Sequence, residues 1–290
     1  MGVVKGYPRL RKRFGKLISY MQLVRPFTLL APLLAGIFGV LTPVSKITSS
    51  HMVTAIYVGV TLALAQAAGQ CINQYADFEL DKLAKPYRPI PSGLVSREEG
   101  LGLSWLLAIF AVGRSFTIST FFGLVVLVLL FFAVFYSLAP FSPRKVNPLL
   151  NTAWMAFSRG FLPMLAVWSV YGDFNKAWQY SVLAFFWVMG FQSTKDVPDA
   201  DMDKQFGIKT IPNSHGLKGQ IATMITCTGA FTLLALHFNA FIMLLVVPLA
   251  VLAILTLRKQ AKVVENTWAW SAFYIGLALI YVLMFAGRLL

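Results

Sequence analysis

The chain carries two short acidic motifs whose side-chain spacing could bind a metal ion. The first contains Asn73, Asp77 and Asp81, each four residues from the next. Because residues four apart lie on one face of an α-helix, the pattern predicts a stripe of oxygen-bearing side chains on a helix continuing from an apolar run. The prolines of residues 85–93 then predict a loop, since Pro lacks the amide hydrogen that a helix needs.

The second motif contains Asp196, Asp199 and Asp203. These residues share a face if the helix through them is continuous. Pro198 disfavours helical backbone at the residue before it. It could instead be an early residue of a new helix that carries Asp199 and Asp203. Both arrangements remain open at this point.

The chemistry of the two motifs indicates a magnesium-bound diphosphate. Clustered carboxylates repel one another unless a cation lies between them. Oxygen ligands without His or Cys favour Mg²⁺, which proteins hold through a few carboxylates together with substrate phosphates. Lysine and arginine residues flank both motifs, as a polyanionic phosphate would require. The alternative is a pair of solvated charged loops that only mark membrane topology.

The elements that position these motifs are predicted to be transmembrane helices. Of the 290 residues, 58% are hydrophobic and only 12% are charged, whereas soluble domains carry about 25% charged residues. We therefore expect an all-α integral membrane protein, residues 1–290 forming one domain. Nine apolar runs suggest membrane spans, although the third of them is short for a span. They cover 24–42, 52–74, 98–113, 117–139, 148–171, 177–195, 218–237, 239–257 and 267–287.

The distribution of positive charge predicts the orientation of these spans. The net charge of +14 could suggest a nucleic-acid partner, but the basic residues lie between apolar runs and argue against one. Most of the 25 Lys and Arg residues fall on one side if the N-terminus is cytoplasmic. The basic amphipathic segment 1–20 and the acidic segments 73–99 and 195–216 then face the cytoplasm. We expect a plasma-membrane protein whose site opens on that side.

Both motifs, and the loop after the first, resemble those of the UbiA superfamily of intramembrane prenyltransferases over most of the chain. The matching residues are Asn73, Asp77, Asp81, 88–93, Asp199, Asp203 and Gly207. The resemblance implies nine transmembrane helices around a central cavity, an isoprenyl diphosphate donor and Mg²⁺ held by both motifs. The implied metal-site residues are Asn73, Asp77, Asp81, Asp196, Asp199 and Asp203. The implied catalytic residues are Asp77, Asp81, Asp199 and Asp203.

Basic residues near the motifs are candidates for contacts to the departing diphosphate. These candidates are Arg88, Lys145, Lys195 and Lys209. The alternative for each, and most of all for Lys145, is ordinary cytoplasmic positive charge.

Residues inside the predicted spans could line the cavity. Phe132, Phe135 and Tyr136 could face an electron-deficient carbon with their π electrons, although aromatic residues in spans more often face lipid or core. Arg159 lies near the middle of a span, a costly place unless it faces the cavity, and could contact an anionic acceptor. Arg25, at the cytoplasmic end of the first span, could also bind substrate, but it could simply reach the interface.

The amino-acid sequences of the two motifs are most similar to those of the archaeal lipid branch of the family. The enzymes of that branch transfer geranylgeranyl to geranylgeranylglyceryl phosphate. The chain departs from that branch at Gln74 and Met202, where aspartate and glycine are expected. An aromatic or chlorophyllide acceptor stays open, as does a donor between geranyl and geranylgeranyl diphosphate. A secondary transporter is a weaker alternative, because transporter charges usually lie near the membrane midplane and these acids lie at one surface.

Overall fold

The computed structural model describes residues 8–172, 174–260 and 267–289. Across these residues the regular structure is helical and contains no strand, which agrees with the predicted all-α class. Residues 1–7 of the predicted basic segment lie outside this part. The α-helices are α1 (Pro8–Val24), α2 (Leu30–Leu34), α3 (Ser49–Ala76), α4 (Phe78–Ala84), α5 (Arg97–Phe116), α6 (Thr120–Ser137), α7 (Pro148–Ala156), α8 (Leu162–Trp168), α9 (Phe174–Phe191), α10 (Ala200–Gln205), α11 (Ile211–His237), α12 (Val247–Gln260) and α13 (Thr267–Ala286).

The helices support a multi-pass membrane protein. In the described chain, α3, α6 and α11 are each long and apolar enough to cross a membrane. A fourth candidate, Gly15–Val24 with Pro26–Gly39, is bent by 45°. Large apolar side chains such as Ile109 and Leu233 are 67% and 68% exposed, as expected for helices that face lipid. The number nine and the orientation of the spans stay predictions.

One predicted span, 148–171, contains an internal irregularity. Helices α7 and α8 are joined by a π-helical turn at Phe157–Phe161. Pro163 follows this turn and has no amide hydrogen to donate to the carbonyl of residue 159, so the regular hydrogen-bond ladder is interrupted there. Such turns widen a helix locally and are frequent at functional sites.

The helices pack around a central space. Helix α3 packs along α5 and α6, α9 packs along α8 and α11, and α13 contacts α9, α12 and the first helical segments. The helical turn Ala35–Gly39, which follows α2, crosses α3. At this crossing the backbones of Gly36 and Gly59 are in contact: a Cβ atom at Gly36 would come within 2.1 Å of the Gly59 Cα. Contacts this close hold the helices together without bulky side chains between them.

The proline-rich loop is anchored by its apolar side chains. Ile90 and Val95 are buried in a small cluster with Leu23 and Cys71. Helix α5 begins with a capping box, the pattern that Ser96 followed by Glu99 three residues later predicts from the sequence: the Glu99 amide donates to the Ser96 hydroxyl at 3.0 Å, and the Ser96 amide donates to the Glu99 carboxylate at 2.9 Å. The loop is therefore fixed at both ends.

Candidate active site

A cavity of about 630 Å³ lies between the helices and reaches both acidic motifs. Its polar end is lined by Asn73, Asp77, Asp81, Asp196, Asp199 and Asp203. Its other end is lined by apolar side chains, among them Leu62, Leu129 and Leu277. Such a shape can hold a molecule with a charged head and an apolar tail.

The first motif is positioned by the junction of α3 and α4. Asp77 lies between the two helices with φ −89° and ψ 14°, so the predicted continuous helix is broken at this residue. The Asp77 amide still donates to the Asn73 carbonyl at 2.9 Å, and the Asp81 amide donates to the Asp77 carbonyl at 2.7 Å. The spacing of four residues is thereby preserved, and the three side chains all line the cavity.

The second motif is built from two short helical pieces. A 3₁₀ turn covers Gln192–Asp196, and α10 begins after Asp199, its N-cap residue. The Asp203 amide donates to the Asp199 carbonyl at 2.9 Å. This resembles the second predicted arrangement, in which a new helix carries the later aspartates, except that Pro198 lies just before that helix.

Four motif carboxylates pair with basic side chains of the same chain. The pairs are Arg144–Asp77 (2.5 Å), Arg88–Asp81 (2.6 Å), Lys85–Asp199 (2.5 Å) and Lys195–Asp196 (2.5 Å). The Lys85–Asp199 pair joins the segments of the two motifs directly. Loss of one partner of a buried pair leaves an uncompensated charge, so these contacts hold the polar end in one arrangement.

Asp81 and Asp203 are less completely satisfied than the other motif acids. Asp81 is 0% exposed, and its Oδ1 has no hydrogen-bond partner among the described residues. Burial raises the pKa of Asp81, although Arg88 opposes this shift. Burial, together with neighbouring Asp196, raises the pKa of Asp203 to about 7. An unpaired buried oxygen such as the Oδ1 of Asp81 is costly unless a cation or another partner is present.

The donor set fits a hard divalent cation. Among the described residues, no three acidic, His or Cys side chains converge closely enough to enclose a metal ion. The motif side chains that line the polar end nevertheless offer oxygen donors, including the unpaired Oδ1 of Asp81. Mg²⁺ prefers such ligands and completes its shell with substrate phosphate and water. The chemistry of these donors therefore suits Mg²⁺ together with a phosphate-bearing substrate.

The predicted cationic contacts divide into two groups. Arg88 and Lys195 line the cavity. Lys145 and Lys209 are exposed and do not line it. The Lys209 ammonium instead donates to a backbone carbonyl, that of Val146, at 3.0 Å.

Two basic residues that line the cavity were not identified as candidates from the sequence. Arg144 is 6% exposed and directs its guanidinium at Asp77, while its neighbour Lys145 faces solvent. Lys85 lies in the proline-rich loop and reaches Asp199. The signal for both was their place in loops near the motifs, but loop position alone does not tell which of two adjacent basic residues points inward.

Two arginines of the predicted spans also line the cavity. Arg159 lies in the π-helical turn, which directs its half-buried side chain inward. Arg25 has a left-handed backbone (φ 54°), and its guanidinium donates to the Gln70 side-chain oxygen at 3.4 Å. Neither arginine has an ion pair with a carboxylate in the described chain. Their charges are available to an anionic ligand.

The three aromatic candidates differ in whether they line the cavity. Phe132 and Tyr136 line the cavity, and the Tyr136 ring lies 5.5 Å from the Arg144 guanidinium. Phe135 is not among the lining residues, and its ring packs against Phe141 with centroids 5.2 Å apart. Residues on one helix thus differ in exposure to the cavity according to the face they occupy.

Comparison with known proteins identifies the family to which this arrangement is similar. The model of the UbiA prenyltransferase family matches residues 29–283. The digeranylgeranylglyceryl phosphate synthase of Methanothermobacter thermautotrophicus is 26% identical over 280 residues, covering 92% of this chain and 95% of its own. The enzyme of the same name from Korarchaeum cryptofilum is 30% identical over 206 residues, covering 70% of each chain.

A solved structure shares the fold. It is that of a UbiA homolog from Archaeoglobus fulgidus bound to GPP and Mg²⁺, with a TM-score of 0.71 and 20% sequence identity. The match covers 94% of this chain and 100% of that chain.

Proposed function

The chain belongs to the UbiA prenyltransferase family and is a prenyltransferase, and from this premise we propose that it transfers geranylgeranyl from its diphosphate to geranylgeranylglyceryl phosphate. The observation that carries this proposal is the cavity, which has acidic and basic groups at one end and apolar walls at the other. The similar proteins from Methanothermobacter and Korarchaeum, both named digeranylgeranylglyceryl phosphate synthase, support this acceptor.

In this proposal the polar end binds the donor diphosphate. Arg88, Lys195, Arg144 and Lys85 supply positive charge for the departing group. Asn73, Asp77, Asp81, Asp196, Asp199 and Asp203 would hold Mg²⁺, and the bound ion would neutralise diphosphate charge. The magnesium in the Archaeoglobus relative supports this choice of ion.

The reaction then exchanges one carbon–oxygen bond for another. The bond from the prenyl C1 to the diphosphate oxygen breaks, the acceptor hydroxyl oxygen bonds to C1, and the hydroxyl proton passes to the released diphosphate. Phe132 and Tyr136 stabilise the electron-deficient C1 with their π electrons. The apolar walls keep water from competing with the acceptor.

Arg25 and Arg159 are assigned to the acceptor phosphate. Both line the cavity, and neither is neutralised by an ion pair in the described part of the chain. An arginine suits this role because its planar guanidinium can donate two parallel hydrogen bonds to a phosphate.

We further assign the chain nine spans, a cytoplasmic N-terminus and a cavity mouth that opens to the cytoplasm at the plasma membrane. The support is the concentration of Lys and Arg in alternate connecting segments.

A radiolabel transfer assay tests the proposal. Membranes containing wild-type protein or the Asp77→Ala/Asp203→Ala double variant receive Mg²⁺, geranylgeranyl diphosphate and either geranylgeranylglyceryl phosphate or 4-hydroxybenzoate. We expect transfer to the glyceryl phosphate by wild type and none by the variant. Transfer to the benzoate alone would retain the reaction class and overturn the acceptor. Absence of metal-dependent transfer and of donor binding would overturn the proposal.

A further inference from the structure

The side chain of Asn73 can turn either of two different atoms toward the cavity that it lines. Its oxygen accepts hydrogen bonds and can bind a cation, whereas its NH₂ group only donates. Rotation of the amide by half a turn about the Cβ–Cγ bond exchanges the two atoms. Asn73 can therefore serve the proposed metal site only if its oxygen faces the cavity and its nitrogen is held elsewhere.

Both hydrogens of the Asn73 amide nitrogen have acceptors. The nitrogen donates to the Oδ2 of Asp77 at 2.9 Å and to the hydroxyl oxygen of Ser137 at 2.9 Å. An ionised carboxylate only accepts hydrogen bonds, so the Asn73 atom beside Asp77 must be the nitrogen. Among the residues that the structure describes, none donates a hydrogen bond to the Asn73 side-chain oxygen. That oxygen keeps its full capacity to accept.

The two acceptors of the Asn73 nitrogen differ in their relation to the cavity. Asp77 lines the cavity, is itself a proposed metal ligand, and accepts a second hydrogen bond from the Arg144 guanidinium. A shift of its carboxylate toward a cation would weaken the bond from Asn73. Ser137 is 8% exposed and does not line the cavity. No ligand in the cavity competes for its hydroxyl, so this bond can hold the amide when Asp77 moves.

The packing of α3 against α6 places the Ser137 hydroxyl. A Cβ atom at Gly69 would lie 3.0 Å from the Cβ of Ala133, so the two helices approach closely at this level. Gly69 is four residues before Asn73, and Ala133 is four residues before Ser137. Residues four apart share a helix face, so Asn73 and Ser137 meet one turn beyond the close approach. Helix α6 ends at Ser137, directly after this contact.

We propose that Ser137 is a positioning residue that turns the oxygen of Asn73 toward the cavity and holds its nitrogen away from the metal site. This inference rests on the proposed function, since it concerns how that site would hold Mg²⁺. Ser137 contacts neither ion nor substrate in this proposal and acts only through the Asn73 amide.

The test measures the binding of geranylgeranyl diphosphate rather than its transfer. Detergent-purified wild type, Ser137→Ala and Ser137→Thr are given radiolabelled donor over a range of Mg²⁺ concentrations. Ser137→Ala is expected to raise the Mg²⁺ concentration for half-maximal binding about fivefold, the usual effect of losing one uncharged hydrogen bond. Ser137→Thr keeps the hydroxyl and is expected to stay within about twofold of wild type.

Ser181→Ala is the matched control. Ser181 is also buried in a helix, but its hydroxyl donates to the Ala177 carbonyl of the same helix, α9, and it does not line the cavity. Its Mg²⁺ midpoint is expected to equal that of wild type. Thermal unfolding in detergent accompanies each measurement. Should Ser137→Ala fail to fold, Ser137→Cys takes its place, because a thiol is a weak acceptor of similar shape.

A second background separates orientation of the amide from a general structural effect. In Asn73→Asp both terminal atoms are oxygens, so rotation of the side chain no longer changes the atom that faces the cavity. Adding Ser137→Ala to Asn73→Asp is therefore expected to move the Mg²⁺ midpoint by less than about twofold. An equal fivefold shift in both backgrounds would show that Ser137 does not act through the Asn73 amide.

The remaining outcomes are also decisive. A wild-type Mg²⁺ midpoint in Ser137→Ala, or an equal shift in Ser181→Ala, would overturn the role of Ser137. If Asn73→Asp binds no donor, the contrast among the serine variants decides. Wild-type protein that binds no donor at any Mg²⁺ concentration would instead overturn the proposed function.

Discussion

The guanidinium of Arg144 lies 2.5 Å from the carboxylate of Asp77, although 67 positions separate them in the chain. The contact joins the connection after α6 to the first acidic motif. Lys145, which follows Arg144 in the chain, carries the same charge but is exposed. A 3₁₀ turn at Pro143–Lys145 sets which of the two side chains points inward.

This difference predicts opposite consequences for two adjacent substitutions. Arg144→Ala is expected to lower kcat/KM by about 100-fold, because it removes a charge beside the diphosphate and leaves Asp77 unpaired. Lys145→Ala is expected to stay within about twofold of wild type, as exposed charges contribute little. Initial rates, with thermal unfolding measured in parallel, check this. Similar losses in both variants would contradict the assignment.

The acidic motifs predict a second contrast. Asp81→Asn and Asp203→Asn keep the side-chain shape but remove the negative charge that Mg²⁺ requires, and each is expected to reduce transfer about 100-fold. Asp201→Asn is the control, since Asp201 is exposed and lies outside the cavity lining. Rates across a Mg²⁺ titration, and after chelation by EDTA, provide the measurement. A wild-type Mg²⁺ dependence in Asp81→Asn or Asp203→Asn would remove that residue from the proposed metal site.

The position of Arg159 predicts a change in acceptor binding alone. Arg159→Gln is expected to raise the KM for geranylgeranylglyceryl phosphate about tenfold, the effect of losing a hydrogen bond to a charged group. The KM for the donor should not change, and Arg159→Lys should recover part of the loss. A raised donor KM with an unaltered acceptor KM would show that the guanidinium serves the diphosphate instead.

The helix crossing at Gly36 predicts a stability effect. Gly36→Ala places a methyl group against the Gly59 backbone and is expected to destabilise the protein by about 1–3 kcal/mol. Gly102→Ala is the matched substitution on α5, where a Cβ atom meets nothing within 4 Å, and it should be neutral or slightly stabilising. Thermal unfolding in detergent compares the two. Equal unfolding temperatures would mean that the crossing can relax.

Features set by neighbouring residues were predictable from the sequence. Helical class follows from long apolar runs, the loop follows from its prolines, and the capping box follows from Ser96 and Glu99. The spacing of Asn73, Asp77 and Asp81 placed three oxygen-bearing side chains along one cavity wall. Each of these features depends on contacts within a few residues, which the chemical order of the chain contains directly.

Features set by distant segments were decided only by the tertiary structure. The choice of Arg144 over Lys145, the Lys85–Asp199 pair and the exclusion of Phe135 from the cavity all depend on how one helix or loop faces another. The contact of Gly36 with Gly59, which lie on different helices, depends likewise on how the two helices face each other. Local periodicity cannot specify such contacts, because many helix rotations satisfy the same apolar pattern and only mutual packing selects one.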